Sequence, residues 1–149
     1  MDYRFRDSLS YHLNKVTNAI RYQFNKYLKS FEITGEQFAI MKIIQEHANL
    51  SQNQIAKIIS KDKTTIARAI DLLEKKKLIS KKRSADDRRT YLIEINESGR
   101  QILSQAIPIA IRYNKIIKDR ISDKDEEAFL RVLNIMLDAS KNLSQKEQG

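Results

Sequence analysis

The spacing of apolar residues along the chain predicts a mainly helical protein. From residue 8 to about residue 30, apolar side chains recur every three or four positions, the period of one face of an α-helix. The same spacing predicts helices over residues 34–46 and 96–120, and a last helix that begins at residue 122. Only three glycines and one proline interrupt the chain, so few loops are expected.

Helix-start signals support the helix that begins at Thr34 and predict two further short helices, which begin at Ser51 and Asp62. Thr34 with Gln37, and Ser51 with Gln54, are capping boxes, in which each side chain binds a backbone N–H left unpaired at the helix start. After a break at residues 60–61, Asp62 is a good N-cap for the next helix.

That next helix has two chemically different sides. Its apolar positions follow the spacing i, i+3, i+4, i+7 and predict one buried face: Ile66, Ala69, Ile70 and Leu73. Off this face, near the N-terminal end, lie short hydrogen-bonding residues and cations: Lys63, Thr64, Thr65 and Arg68. A helix that enters the major groove of DNA needs this combination of an apolar back and a polar, cationic front.

A basic β-hairpin is predicted directly after this helix. Residues 78–83 form a candidate strand, 84–89 a polar tip, and 91–95 alternate with a period of two. Residues 75–89 contain eight Lys and Arg but two acids, Asp86 and Asp87. A charge run is often only a solvated surface, but these cations lie where the wing of a winged helix-turn-helix would touch DNA.

The charge distribution agrees with a polyanionic partner for the middle of the chain. The 149 residues suffice for one globular domain, with 41% hydrophobic residues and a net charge of +9. Residues 51–100 hold 13 basic and 7 acidic residues, so this third supplies most of the excess. A nucleic acid is the expected partner.

Several classes of function find little support in the composition. Without cysteine, disulfides, thiol redox chemistry and thiolate metal sites are excluded. The two histidines, His12 and His47, have no partners at metal-ligand spacing, so no metal or cofactor is predicted. No Gly-rich phosphate loop or nucleophile elbow is present, so an enzyme is not expected. Neither a membrane span of ~18 residues nor a signal-peptide core is seen, which favours a cytoplasmic protein.

Two alternatives remain open to the hypothesis of sequence-specific DNA binding, and one alternative remains open to the dimerisation role of the terminal helices. The chain could bind chromosomal DNA or RNA without sequence preference, or it could be a helical interaction module with incidental charge. The long amphipathic helices at both ends suggest a dimer interface, but they could instead cover the central core of a monomer.

Three segments give the chain a resemblance to the MarR family of bacterial transcription regulators over nearly its whole length. These segments are ITGEQFAIMKII, LSQNQIAKIISKDKTTIARAIDLLEKKKLI and DDRRTYLIEINESGR. The last is the most specific, with an Asp-x-Arg at the wing tip (Asp87 to Arg89), an alternating strand and a capped helix containing Gly99. Ala67 departs from the family, which commonly has a hydroxyl residue there.

The resemblance implies one MarR-type domain over residues 1–149, mainly α with a β-hairpin wing. Residues 34–96 would form the winged helix-turn-helix, and residues 1–31 and 97–143 the helical dimerisation region. A homodimer would bind a pseudo-palindromic DNA duplex as a regulator, commonly a repressor that a small, often aromatic, ligand releases.

The resemblance also implies roles for individual residues. Base edges or nearby phosphates are assigned to Thr64, Thr65 and Arg68. Phosphates are assigned to Lys63, Lys81, Lys82 and Arg83. At the wing tip, Arg89 would enter the minor groove beside Arg88, and Asp87 would hold Arg89 in place. The candidates for a ligand cleft are Tyr11, His12 and Tyr113.

Overall fold

A computed structural model of the chain describes residues 4–146, with side chains described up to residue 142. It contains six α-helices and three strands within that range. In chain order they are α1 (Leu9–Leu28), α2 (Gly35–Glu46), β1 (Leu50–Ser51), α3 (Gln52–Ile59), α4 (Lys63–Lys75), β2 (Ile79–Arg83), β3 (Tyr91–Ile95), α5 (Glu97–Lys118) and α6 (Asp123–Lys146). The mainly α fold with a small β wing is confirmed.

The chain divides into two compact units. The first runs up to Ala110 and contains α1–α4, the strands and the first part of α5. The second begins at Ile111 and contains the rest of α5 and α6. No helix in residues 4–146 is long and apolar enough to cross a membrane.

The predicted helix starts are confirmed at the level of individual hydrogen bonds. The Thr34 hydroxyl accepts from the Gln37 N–H at 3.2 Å, and the Gln37 side chain accepts from the Thr34 N–H at 3.1 Å. Ser51 and Gln54 form the same reciprocal pair at 3.3 and 2.8 Å. At the start of α4, Asp62 accepts from the Thr65 N–H at 2.8 Å. These residues therefore fix where each helix begins.

The sheet contains one strand more than the sequence predicted. Its order is β1-β3-β2, with all pairs antiparallel. The predicted hairpin is present, and Ile79 lies opposite Ile95 while Arg83 lies opposite Tyr91. The unpredicted strand β1 adds Leu50 opposite Ile93. Two residues are too few to show an alternating pattern, so β1 could not be predicted from periodicity.

The core of the first unit joins α4 to the sheet and to α5. All four predicted core residues of α4 are at most 5% exposed. They pack in one cluster with α2, α3, the strands and two residues of α5, Leu103 and Ala106. The first half of α5 is thus part of the core of the winged helix-turn-helix.

A glycine permits the close approach of α5 to the segment between α4 and β2. A Cβ atom at Gly99 would lie 2.3 Å from the carbonyl oxygen of Leu78, which is not possible without a shift of backbone. Asn96 precedes α5 as predicted, and its side chain accepts from the Ser80 hydroxyl (2.9 Å) and donates to the Lys77 carbonyl (3.0 Å). The start of α5 is therefore fastened to the segment that enters β2.

In the second unit, α6 begins as predicted but its apolar side chains are not buried. The Ser122 hydroxyl accepts from the Asp125 N–H at 3.1 Å and caps the helix. Between residues 111 and 142 no side chain is buried, and Ile135 is 61% exposed.

Candidate nucleic-acid interface

The front of α4 combines exposed cations with a hydroxyl group. Lys63, Thr64 and Arg68 are exposed and lie off the buried face, with Thr64 and Arg68 on the opposite side of the helix. Arg68 forms no ion pair with any residue in the described part of the chain. Its guanidinium is therefore available to a partner outside the protein.

Thr65 is tied to the start of its own helix. Its hydroxyl donates to the second carboxylate oxygen of Asp62 at 2.6 Å, while its backbone N–H donates to the first. The hydrogen bond from the Thr65 hydroxyl is the main cause that lowers the pKa of Asp62. The hydroxyl proton is thus used in the cap, and only its oxygen can still accept a bond from a ligand.

Lys81 lies on the face of β2 that packs towards α4, together with the buried Ile79. Its ammonium group is 2.8 Å from the Asp71 carboxylate and 3.2 Å from that of Glu74. The hydrogen bond to Asp71 is the main cause that raises the pKa of Lys81. Since these acids are 10 and 7 residues earlier in the chain, on another element, the sequence did not predict the pairing.

The next two cations of β2 are more open to solvent. The side chain of Lys82 is 69% exposed, on the other face of the strand, and lies 3.5 Å from Glu94. Arg83 stands 5.5 Å from the ring centre of Tyr91, its neighbour across the hairpin, within the range of a cation–π contact. Tyr91 is itself 44% exposed, although it lies on the same face of β3 as the buried Ile93 and Ile95.

The wing tip is organised around the Asp87 carboxylate. One oxygen accepts from the Arg89 backbone N–H at 2.9 Å, and the other from the Thr90 hydroxyl at 3.0 Å. Across the tip, the Ser84 N–H donates to the Thr90 carbonyl at 2.9 Å. Within the described residues, neither the Arg88 nor the Arg89 guanidinium forms an ion pair. Asp87 therefore shapes the backbone under Arg89 and leaves both guanidinium groups exposed.

A surface cleft of about 330 Å³ connects the wing to the start of α3. It is lined on the wing side by Arg89 and Tyr91, and on the other side by Ser51, Gln52 and Asn53. The polar residues at the start of α3 were not among the predicted site residues. Their position after a capping signal could have suggested them, because unpaired N–H groups at a helix start favour anions.

The predicted ligand-cleft residues fall in both units. On α1, the centre of the Tyr11 ring lies 5.3 Å from that of His12 and 5.2 Å from that of Phe5, and both pairs are arranged edge to face. Tyr113 is on α5 in the second unit and is half-buried. The structure thus brings Tyr11 and His12 together in an aromatic cluster with Phe5.

Comparison with known proteins finds similarity to the MarR family and to transcription regulators. The MarR family model matches residues 33–91. The transcriptional repressor NicR of Pseudomonas putida is 26% identical over 74% of this chain and 70% of its own length. The transcriptional regulator HosA of Escherichia coli is 23% identical over 85% of this chain and 97% of its own.

Two solved structures have the same fold. Staphylococcus aureus MepR in complex with DNA superposes with a TM-score of 0.83 at 24% identity, covering 91% of this chain and 99% of MepR. Bordetella bronchiseptica BpsR, whose DNA binding is regulated by 6-hydroxynicotinic acid, gives a TM-score of 0.83 at 20% identity, covering 93% and 99%. The MarR family match covers the segment that contains the capped helices and the first strand of the wing, so residues 33–91 form a MarR-type winged helix-turn-helix region.

Proposed function

We propose that the chain is a homodimeric repressor that binds double-stranded DNA in a sequence-specific manner. The observation that carries this proposal is the two-sided construction of α4. Its buried face anchors it in the core, while Lys63, Thr64 and Arg68 are exposed on its front. A helix fixed in this way can present its front to the major groove.

The contacts follow from exposure and chemistry. Thr64 and Arg68 would bind base edges, with the Thr65 oxygen as a further acceptor. Lys63, Lys82 and Arg83 would bind phosphates. Arg88 and Arg89, held out from a wing tip that Asp87 shapes, would enter the minor groove, where narrow A·T-rich sequence concentrates negative potential.

A homodimer accounts for the apolar surface of the terminal helices. In α1, Leu9 and Val16 are 63% and 56% exposed, and in α6, Phe129 and Leu130 are both 52% exposed. Apolar surface on this scale favours burial against another chain. The exposed apolar residues of α1, of the second half of α5 and of α6 would then pair two copies, and residues 34–96 of each copy would bind one half-site. The half-site centres would be ~10 bp apart on one face of the duplex.

A ligand response is the further part of the proposal. BpsR provides the precedent of a fold neighbour regulated by a small aromatic acid. In this chain, Tyr11 and His12 on α1 are candidates for contact with such a molecule, and Tyr113 in the second unit is a separate candidate. The protein would act in the cytoplasm, where a bacterial chromosome lies, and we assign it no catalytic role.

Selection of bound duplexes from a random pool tests the main proposal. The expected result is a two-fold symmetric consensus that binds at least ~1,000-fold more tightly than a scrambled duplex of equal composition. Sedimentation of the free protein should give twice the mass of the 17.4 kDa chain. Equal affinity for the selected and scrambled duplexes would instead support the second candidate, a nucleic-acid-binding protein without sequence preference.

A further inference from the structure

The carboxylate of α4 that pairs with Lys81 of β2 lies on the same helix surface as Arg68, the proposed base-contacting residue. Asp71, whose carboxylate holds Lys81 at 2.8 Å, is three residues after Arg68 on α4. Residues three apart on a helix are surface neighbours. Arg68 and Asp71 also line the same surface depression, together with Leu72, Glu74 and Lys75. An arginine and a carboxylate at this spacing are close enough to pair with each other.

In this structure Asp71 is paired with Lys81, and Arg68 is left without an ion pair in the described residues. The Lys81 side chain is only 26% exposed, against 69% for Lys82. Its partial burial between β2 and α4 limits the positions its ammonium group can take. The partly buried Lys81 side chain thus reaches the carboxylates of both Asp71 and Glu74, on the side of α4 where the sheet lies.

The ion pairs are not needed to hold α4 against the sheet. The buried side chains of Ile70, Leu73 and Ile79 already pack these elements together. The close contact of Gly99 with Leu78 adds a backbone constraint at the same junction. Ion pairs at an open surface contribute little to stability by comparison. The larger consequence of the pairing is therefore its effect on the charges of α4.

We infer that Lys81 is a positioning residue, which occupies the carboxylates of Asp71 and Glu74 and so leaves Arg68 free for a base edge. This assignment rests on the proposed function and replaces a phosphate contact as the role of Lys81. It predicts that loss of Lys81 lets Asp71 capture Arg68. Base preference would then fall at the positions that Arg68 contacts, while contacts elsewhere would persist.

The first comparison uses Lys81→Met and the matched control Lys82→Met, which removes the same charge from the opposite face of the same strand. Affinities are measured over a range of salt for the duplex obtained by selection and for its scrambled counterpart. Lys82→Met should weaken both duplexes alike and make the salt slope shallower by about one, as for a phosphate contact. Lys81→Met should lower the ratio of the two affinities by roughly tenfold, the scale of one lost base contact. The affected base positions should be those relaxed by Arg68→Ala.

The second comparison tests whether Asp71 is the cause. Adding Asp71→Asn to Lys81→Met removes the carboxylate that would capture Arg68, so the affinity ratio should return to within about twofold of the wild type. Asp71→Asn alone should leave the ratio unchanged. If Lys81→Met fails to fold, Lys81→Gln, which keeps a polar side chain of similar length, takes its place.

The outcomes separate this inference from the proposed function. A wild-type protein that does not discriminate between the two duplexes would overturn both. If the wild type does discriminate, the proposed function stands, and the inference is overturned when Lys81→Met behaves like Lys82→Met. It is equally overturned when Asp71→Asn fails to restore the ratio in the double variant.

Discussion

The winged helix-turn-helix and the terminal helices of this chain bury their apolar residues to very different degrees. Every buried hydrophobic residue in the described part of the chain lies between Leu28 and Ala106. From residue 111 to residue 142 none is buried, although α6 also carries a regular apolar pattern. Helical periodicity therefore predicts that a face will be apolar, but not whether the same chain covers it.

This contrast separates two kinds of sequence constraint. In the first unit, Ile66, Ile70 and Leu73 are matched by partners on the same chain, so their size and shape are fixed by packing. In α6, Phe129 and Val132 are 52% and 46% exposed, so they lack the full set of packing partners that the core residues of α4 have. If a second copy provides these partners, charged substitutions on α6 should affect assembly. They should leave intact the fold of the first unit, which contains the winged helix-turn-helix and is called the winged unit below.

The largest effect is expected from two charges on the apolar face of α6. Phe129→Asp with Val132→Asp should raise the dissociation constant of the dimer at least ~1,000-fold, because burying an unpaired carboxylate is strongly unfavourable and two-fold symmetry repeats each substitution. Sedimentation should give the 17.4 kDa monomer, and circular dichroism should retain the helical signal. The matched control is Asn134→Asp with Asn142→Asp, which adds the same charge at exposed polar positions. Equal masses for the two double variants would show that this face is not an interface.

A large effect on folding is expected where α5 meets the winged unit. Gly99→Ala should lower the free energy of unfolding by about 3 kcal/mol, because its Cβ would meet the Leu78 carbonyl at 2.3 Å and Ile95 at 2.9 Å. Urea unfolding measures the change. Gln101→Ala, at an exposed position of the same helix, should change it by less than ~0.5 kcal/mol. A stable Gly99→Ala variant would mean that α5 is less tightly joined to the core than the geometry indicates.

A smaller effect, on DNA affinity, is expected at the wing tip. Asp87→Ala should weaken binding to the selected duplex by roughly tenfold, since the carboxylate holds the Arg89 N–H and the Thr90 hydroxyl. Asp86→Ala removes the same charge one residue away, where the side chain makes no hydrogen bond within the described residues, and should tighten binding slightly. The two substitutions thus have opposite expected signs in an equilibrium binding assay at fixed salt. Tighter binding by Asp87→Ala would show that the tip does not depend on this carboxylate.

Local signals in the sequence predicted local structure well. The capping boxes at Thr34 and Ser51, the N-cap at Asp62 and the buried face of α4 all depend on residues within one or two helical turns. Such interactions are written into the spacing of neighbouring residues. The hairpin was predicted for the same reason, because its two strands are adjacent in the chain.

Features that depend on distant residues were missed. Strand β1 exists only because Leu50 and Ser51 meet β3 some forty residues later. The Lys81 ammonium was expected to face a phosphate, but its carboxylate partners lie on a different element, and only the packing of β2 against α4 brings them together. Asp87 was expected to hold Arg89 in place, and its contact is with the backbone N–H rather than the guanidinium. In each case the missing information was the three-dimensional neighbourhood of the side chain.

The smallest expected effect concerns backbone strain, which is also confined to the winged unit. Among the described residues, the four non-glycine residues with positive φ are Glu32, Asn49, Ser60 and Lys77. Lys77, at φ 59°, follows α4 in a turn where its N–H donates to the Glu74 carbonyl and the Leu78 N–H donates to the Leu73 carbonyl. Glycine is the usual residue at this position of such a helix end, because a Cβ atom disfavours the left-handed conformation.

Lys77→Gly should therefore raise the free energy of unfolding by about 0.5–1 kcal/mol, the relief of strain less the greater freedom that glycine gives to the unfolded chain. The Lys77 carbonyl, which accepts from Asn96 and Ser98, is retained in the variant. Lys75→Gly is the matched control, since it also removes one lysine charge but at a helical position, where glycine should destabilise by about 0.5–1 kcal/mol. Opposite signs in urea unfolding would assign the effect to backbone conformation. A shift of the same sign in both variants would assign it to the loss of positive charge next to the basic wing, and would mean that the turn after α4 is not strained.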